Sequence, residues 1–120
     1  MEIQGIEEIK TDDYRIWYDP ETKRVICQGS LRLSGMEEYA PIVELLNAVL
    51  ERDKQKIILN LQQLEFLNSS GISMLSKFVI NVRQKGDIEM IIQGSQTIPW
   101  QGKSLKNLLR LMPSLKLELS

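Results

Sequence analysis

Two adjacent serines, Ser69 and Ser70, are the residues of this chain best placed to do chemistry. They lie in Leu67-Asn68-Ser69-Ser70-Gly71-Ile72, where an apolar run gives way to a helical repeat. Lys56-Ile57-Ile58-Leu59-Asn60-Leu61 precedes the stretch, and Ile72, Leu75, Val79 and Val82 follow at helical spacing. Small hydroxyl residues at a helix start leave backbone N–H groups facing a place where an anion, including a covalently attached phosphate, is well tolerated. A serine that accepts a phosphoryl group there makes a switch and not a catalyst. The plainer alternative is that both serines are caps, serine being among the commonest capping residues.

What the chain lacks narrows the chemistry further. It has no histidine, which excludes Ser-His-Asp and Cys-His nucleophile activation, His-containing zinc sites and imidazole acid/base work. The acids and lysines are scattered along polar faces without a convergent cluster, so no enzyme activity, metal or cofactor is expected. With 15 basic and 16 acidic side chains the net charge is -1, and there is no bulk attraction to nucleic acid or anionic lipid. No apolar run approaches the roughly 20 residues that span a bilayer. Met1-Glu2-Ile3-Gln4-Gly5 lacks the regions of a signal peptide, and the one cysteine, Cys27, forms no internal disulfide; both point to the cytoplasm.

The elements that must position the serines follow from periodicity. Tyr14 to Tyr18 and Arg24 to Leu31 alternate as two strands of a hairpin around Asp19-Pro20-Glu21-Thr22-Lys23. Ser34-Gly35-Met36-Glu37 has capping-box spacing, and Ile42, Leu45, Leu46 and Val49 share a helical face over about 37–52. Pro41 favours a start nearer Glu38 than Gly35. Lys56 to Leu61 is apolar on consecutive positions, as a central strand covered on both faces would be. Residues 62–68 then read as a loop, a helix spans about 70–84 and ends at Gly86, and Asp87 to Gln93 is a further strand. Residues 95–102 read as another loop, Leu105, Leu108, Leu109 and Met112 mark a third helix stopped by Pro113, and Leu115, Leu117 and Leu119 alternate as a last edge strand. The 120 residues thus make one domain over 1–120, an α/β fold with a mixed sheet, an N-terminal hairpin and helices packed on the sheet. Functional loops gather at the carboxyl ends of parallel strands, which brings Ser34 and Gly35 beside the stretch Phe66 to Gly71.

The run from Ile58 to Leu75 resembles the signature of STAS domains of the anti-sigma-factor antagonist type. In that family a strand ending in Asp-Leu-Ser leads through an apolar pair to Asp-Ser-Ser-Gly-Leu and a helix; here the corresponding residues are Asn60-Leu61-Gln62 and Asn68-Ser69-Ser70-Gly71-Ile72. The resemblance implies partner switching. The unphosphorylated antagonist binds an anti-sigma factor that is also a serine kinase, phosphorylation ends the binding, and a metal-dependent Ser/Thr phosphatase restores it. Carried over by position, Ser69 is the phosphoacceptor and Ser70 caps the helix. Ser34, Gly35, Phe66, Leu67, Asn68, Ser69, Ser70 and Gly71 are the expected partner-binding residues. Asn68 and Asn60 replace aspartates of the family pattern, and Gln62 a serine, so the acceptor has no acidic neighbour for a kinase or its nucleotide-bound metal to sense.

Other residues have their own readings. Cys27 is expected to pack as a small hydrophobe. Trp17 sits on a second, partly exposed face of the hairpin, a candidate surface for a partner or a homodimer. Trp100 is expected to plug one end of the core, and Lys103, Lys106 and Arg110 to form a solvated face. Two functions stay open beside the switch: a constitutive binding or scaffold domain that kept the fold without phosphorylation, and a small-ligand sensor, for which no phosphate-cradling glycine loop is present.

Overall fold

The structure is a computed structural model that describes residues 8–53 and 55–120; the reading of Met1 to Gly5 lies outside them. The elements run β1 (Glu8–Lys10), β2 (Tyr14–Asp19), β3 (Arg24–Leu31), α1 (Gly35–Arg52), β4 (Lys56–Leu67), α2 (Ser69–Lys85), β5 (Glu89–Gly94), α3 (Pro99–Leu111) and β6 (Lys116–Leu119). They build one mixed sheet in the order β1-β2-β3-β4-β5-β6, antiparallel from β1 to β3 and parallel from β3 to β6. The hairpin and the strand-helix order match the sequence expectation. β1 is additional; three residues are too few to show a period.

Because β3 to β6 are neighbours in chain order, crossovers of one hand put every helix on the same face. Alternate strand residues Val25, Cys27, Ile57, Leu59, Leu61, Met90 and Ile92 join Tyr39, Leu45, Leu46, Phe78, Val79 and Leu105 from the helices in a single core. Among the described residues the opposite face carries no helix. One register row across it reads Trp17, Ile26, Asn60, Gln93, Glu118. The expectation that Lys56 to Leu61 is covered on both faces is therefore corrected. Ile58 is half-exposed, and Asn60 is buried by polar neighbours, its Nδ2 donating to Gln62 Oε1 (3.2 Å) and Gln93 Oε1 (3.0 Å).

The segment read as a loop over 62–68 is strand through Leu67. Gln63, Leu64, Phe66 and Leu67 pair with Gln28, Gly29, Ser30 and Leu31, with register shifts after Ile26 and Gly29. Two irregularities break the period of two, which is why the sequence shows no alternation there. On its other side β4 pairs with β5 only as far as Asn60, so its later carbonyls need different donors. Gln101, wholly buried, supplies them: its Nε2 donates to Leu61 O (2.6 Å) and Leu64 O (3.0 Å), and its Oε1 accepts from the Ser95 amide (2.8 Å). Trp100 Nε1 donates to Leu64 O as well (3.0 Å). Trp100 thus closes one end of the core, as expected, but from a helix and not a loop, since α3 begins at Pro99. Proline at a first helical position is a start signal present in the sequence.

Helix α1 starts before Glu37 and contains Pro41 within it. The predicted capping box is only half made: the Ser34 hydroxyl does not cap, while Glu38, not Glu37, accepts from the Ser34 amide (2.9 Å). Helix α2 ends at Gly86 as predicted, at a φ of 72°. Cys27 is buried, and burial pushes its thiol up to about 12. It is a packing residue.

Candidate functional site

The carboxyl edge of the sheet is organised by Asn68, the residue between β4 and α2. Its amide donates to Leu31 O (3.2 Å), carrying the β3–β4 pairing one step further. Its Oδ1 accepts from the Gly71 amide (2.9 Å), which caps α2, and from the Tyr39 hydroxyl (2.7 Å). Its Nδ2 donates to Leu33 O (2.9 Å). One carboxamide therefore ties the exit of β3, the first turns of α1 and the start of α2 together. This corrects the assignment of the cap to Ser70: Asn68 performs it, and its oxygen and nitrogen are both needed.

With Asn68 occupied from beneath, Ser69 is left as the first residue of α2, exposed to solvent; Ser70 is half-buried. No acidic residue lies in the first turn of α2, so the positive end of the helix dipole there is uncompensated. Gly71 is buried against its neighbours, and a Cβ would come within 2.2 Å of Leu67 Cδ1 and 2.7 Å of the Tyr39 oxygen. Only glycine allows α2 to start this close to α1. Burial also raises the Tyr39 phenol above its ordinary value, which keeps it a hydrogen-bond donor to Asn68.

The remaining predicted residues divide by exposure. Ser34, Gly35 and Phe66 are exposed, as Ser69 is, Gly35 with a φ of 69° that favours glycine. Leu67 and Gly71 are buried and shape the site from below. Three residues went unread in the sequence. Met36 is 37 % exposed, as is Phe66, and Met36 falls outside the apolar period of α1. Tyr39 is fully buried. Arg32 places its guanidinium 4.7 Å from the centre of the Phe66 ring; a cation just past the end of β3 was the available signal.

Among the described residues no group of three or more His, Cys, Asp or Glu is placed to hold a metal, and no helix is long and apolar enough to cross a membrane. An open depression of about 860 Å³ lies away from Ser69, lined by Lys10, Asp13, Gln28, Gln62 and Gln63 among others. Its breadth gives a small molecule little enclosure. Lys103, Lys106 and Arg110 are exposed on α3, a solvated face as expected.

A family model described as STAS domain matches residues 37–100, from the first turn of α1 to the first turn of α3. A solved structure, SiaC of Pseudomonas aeruginosa, superposes with a TM-score of 0.70 over 98% of this chain and 98% of that one, at 14% sequence identity, a likeness of fold. Among curated proteins none matches. The family match spans more than half of the chain and encloses Asn68, Ser69, Ser70 and Gly71: the chain belongs to the STAS domain family.

Proposed function

We propose that this chain is a regulatory protein-binding domain of the anti-sigma-factor antagonist type, acting in the cytoplasm by partner switching, with Ser69 as the phosphoacceptor. The observation that carries the reading is Ser69 itself, exposed at the first position of α2 while Asn68 does the structural work beneath it. Ser34, Gly35, Phe66 and Ser69 form the docking surface, supported by Leu67, Asn68, Ser70 and Gly71. Transfer of a phosphoryl group from a nucleoside triphosphate forms the Oγ–P bond, breaks the bond to the departing nucleoside diphosphate and releases the hydroxyl proton to the kinase. A phosphate of about -1.5 to -2 charges then sits at a helix N-terminus with no acidic residue in its first turn, which the domain tolerates. A close-packed partner does not, because it must desolvate that charge. The partners on this reading are an anti-sigma factor that is also a serine kinase, and a Ser/Thr phosphatase.

One observation favours a second reading, a constitutive scaffold domain. Position 68 is neutral and its carboxamide is committed to Tyr39, Gly71 and Leu33, so the residue preceding the acceptor supplies no carboxylate. The two readings separate on modification and binding. Intact mass and site mapping of the protein from its own cells should place a phosphate on Ser69. Ser69→Asp should weaken capture of the cognate partner at least tenfold with an unchanged far-UV spectrum, while Ser69→Ala should bind like the native chain. Equal binding by Ser69→Asp would sink the switch and leave the scaffold.

A further inference from the structure

The geometry points to Arg32 as the residue that senses a phosphate on Ser69, its guanidinium leaving the Phe66 ring for the phosphoryl oxygens. The inference rests on Ser69 being the modified residue. Its carrying observation is where Arg32 is held. Leu31 and Leu33, on either side of it, both accept hydrogen bonds from Asn68, at 3.2 and 2.9 Å, so the Arg32 backbone runs directly alongside the residue that precedes Ser69. The side chain is exposed, as is Ser69. Among the described residues no carboxylate stands within ion-pair distance of Arg32, whereas Arg15 and Lys116 are each paired, with Glu8 and Glu89 at 2.6 Å. What Arg32 has instead is the face of a half-exposed ring, a weak hold in water.

A dianionic phosphate changes that balance. It offers a planar guanidinium two parallel charge-assisted hydrogen bonds, which outcompete an exposed ring contact. Phosphorylation then acts twice on the docking surface. It adds negative charge at Ser69, and it strips the cation from Phe66, so a partner that recognised the stacked Arg32–Phe66 pair loses both its shape and its sign. A helix N-terminus alone could do only the first.

The test installs phosphoserine at position 69 during synthesis, which makes it independent of whether any kinase modifies the chain. The phosphorus resonance is then titrated in four proteins: otherwise native, Arg32→Gln, Arg32→Lys and Lys116→Gln. Arg32 should lower the second phosphate pKa by about half a unit relative to Arg32→Gln, as a nearby opposite charge does. Arg32→Lys should fall between, and Lys116→Gln, at the opposite end of the parallel strands, should match the native protein. The Arg32 Nε–H resonance should shift on phosphorylation, and the Arg32 side-chain protons should lose the upfield shift that the Phe66 ring current gives to groups over its face. Coincident titrations of the native and Arg32→Gln proteins would overturn the role of Arg32. Equal partner capture by Ser69→Asp and the native chain would instead overturn the switch reading and leave this measurement standing.

Discussion

A carboxylate at position 68 would accept from Gly71 and Tyr39 as well as the carboxamide does, but its second oxygen would face the Leu33 carbonyl, where Asn68 now donates at 2.9 Å. Two acceptors cannot share that contact. The charge regains part of the loss through the helix dipole, by about 0.5 kcal/mol at an exposed helix end. The lost hydrogen bond and the unpaired carbonyl cost about 1–2 kcal/mol. Asn68→Asp should therefore be less stable than the native chain by about 1 kcal/mol in urea unfolding. Asn68→Ala removes the cap and also leaves the buried Tyr39 hydroxyl without its acceptor, so its loss should be larger, about 2–3 kcal/mol. Equal stability of the Asp variant would show that the amide nitrogen is dispensable. This is the physical content of the departure from the family pattern: in this chain the residue before the acceptor serves the architecture. Nothing in the sequence reveals it, since the partners, Leu33 and Tyr39, lie 35 and 29 positions away.

Among the elements, those built on a regular period were readable and those built on exceptions were not. The hairpin, the apolar stripe Ile42, Leu45, Leu46, Val49 and the closing glycine of α2 are local signals, and each element stands where its signal lies. The second half of β4 is not local. It is a strand because β3 pairs with it across two register shifts and because α3 supplies donors where β5 has stopped. Gln101 is the decisive residue in that arrangement, and a glutamine in a Gly- and Pro-flanked segment carries no sequence mark of it. Gln101→Leu keeps the volume but leaves Leu61 O and the Ser95 amide without their partner, while Leu64 O retains Trp100. Two buried polar groups left unmade should cost about 2–4 kcal/mol. Hydrogen exchange should quicken first across 61–67, because the pairing of β4 with β5 ends at Asn60. Loss of protection spread evenly over the sheet would argue that Gln101 only fills space. Since β4 delivers Asn68 to the site, the same variant should also weaken partner capture.

At the scale of the whole molecule, the absence of histidine has a consequence for pH. No side chain with an ordinary pKa near neutrality exists in the chain, so stability should be flat from about pH 6 to 8 and fall on both sides for separate reasons. On the acid side, the hydrogen bond and charge of Lys116 hold the Glu89 carboxyl below its usual value. A lowered carboxyl stabilises the fold above its unfolded pKa, and that contribution disappears as pH falls through the folded value. On the alkaline side four groups act, Tyr14 among them, raised by burial and by the Asp13 and Glu38 charges. Lys116 is raised by Glu89, so its contribution is present below the unfolded value and is lost as pH rises through the folded one. Cys27 is raised from 9.0 to about 12 by burial, and Tyr39 is raised by burial too. In both the folded state keeps a proton that the unfolded chain has already released, so stability declines once pH passes the unfolded value. For Cys27 that window opens near pH 9 and closes near 12, with a slope of at most about 1.4 kcal/mol per pH unit. The exposed Glu89–Lys116 pair is screened by salt, whereas the thiol is not. Denaturant titrations at low and high salt should therefore flatten the acid limb and leave the alkaline limb steep. In Cys27→Ala the steep section between pH 9 and 11 should be reduced, although the variant starts from a lower stability because of the cavity it leaves. An alkaline limb unchanged by that substitution would mean that the tyrosines and lysines carry it.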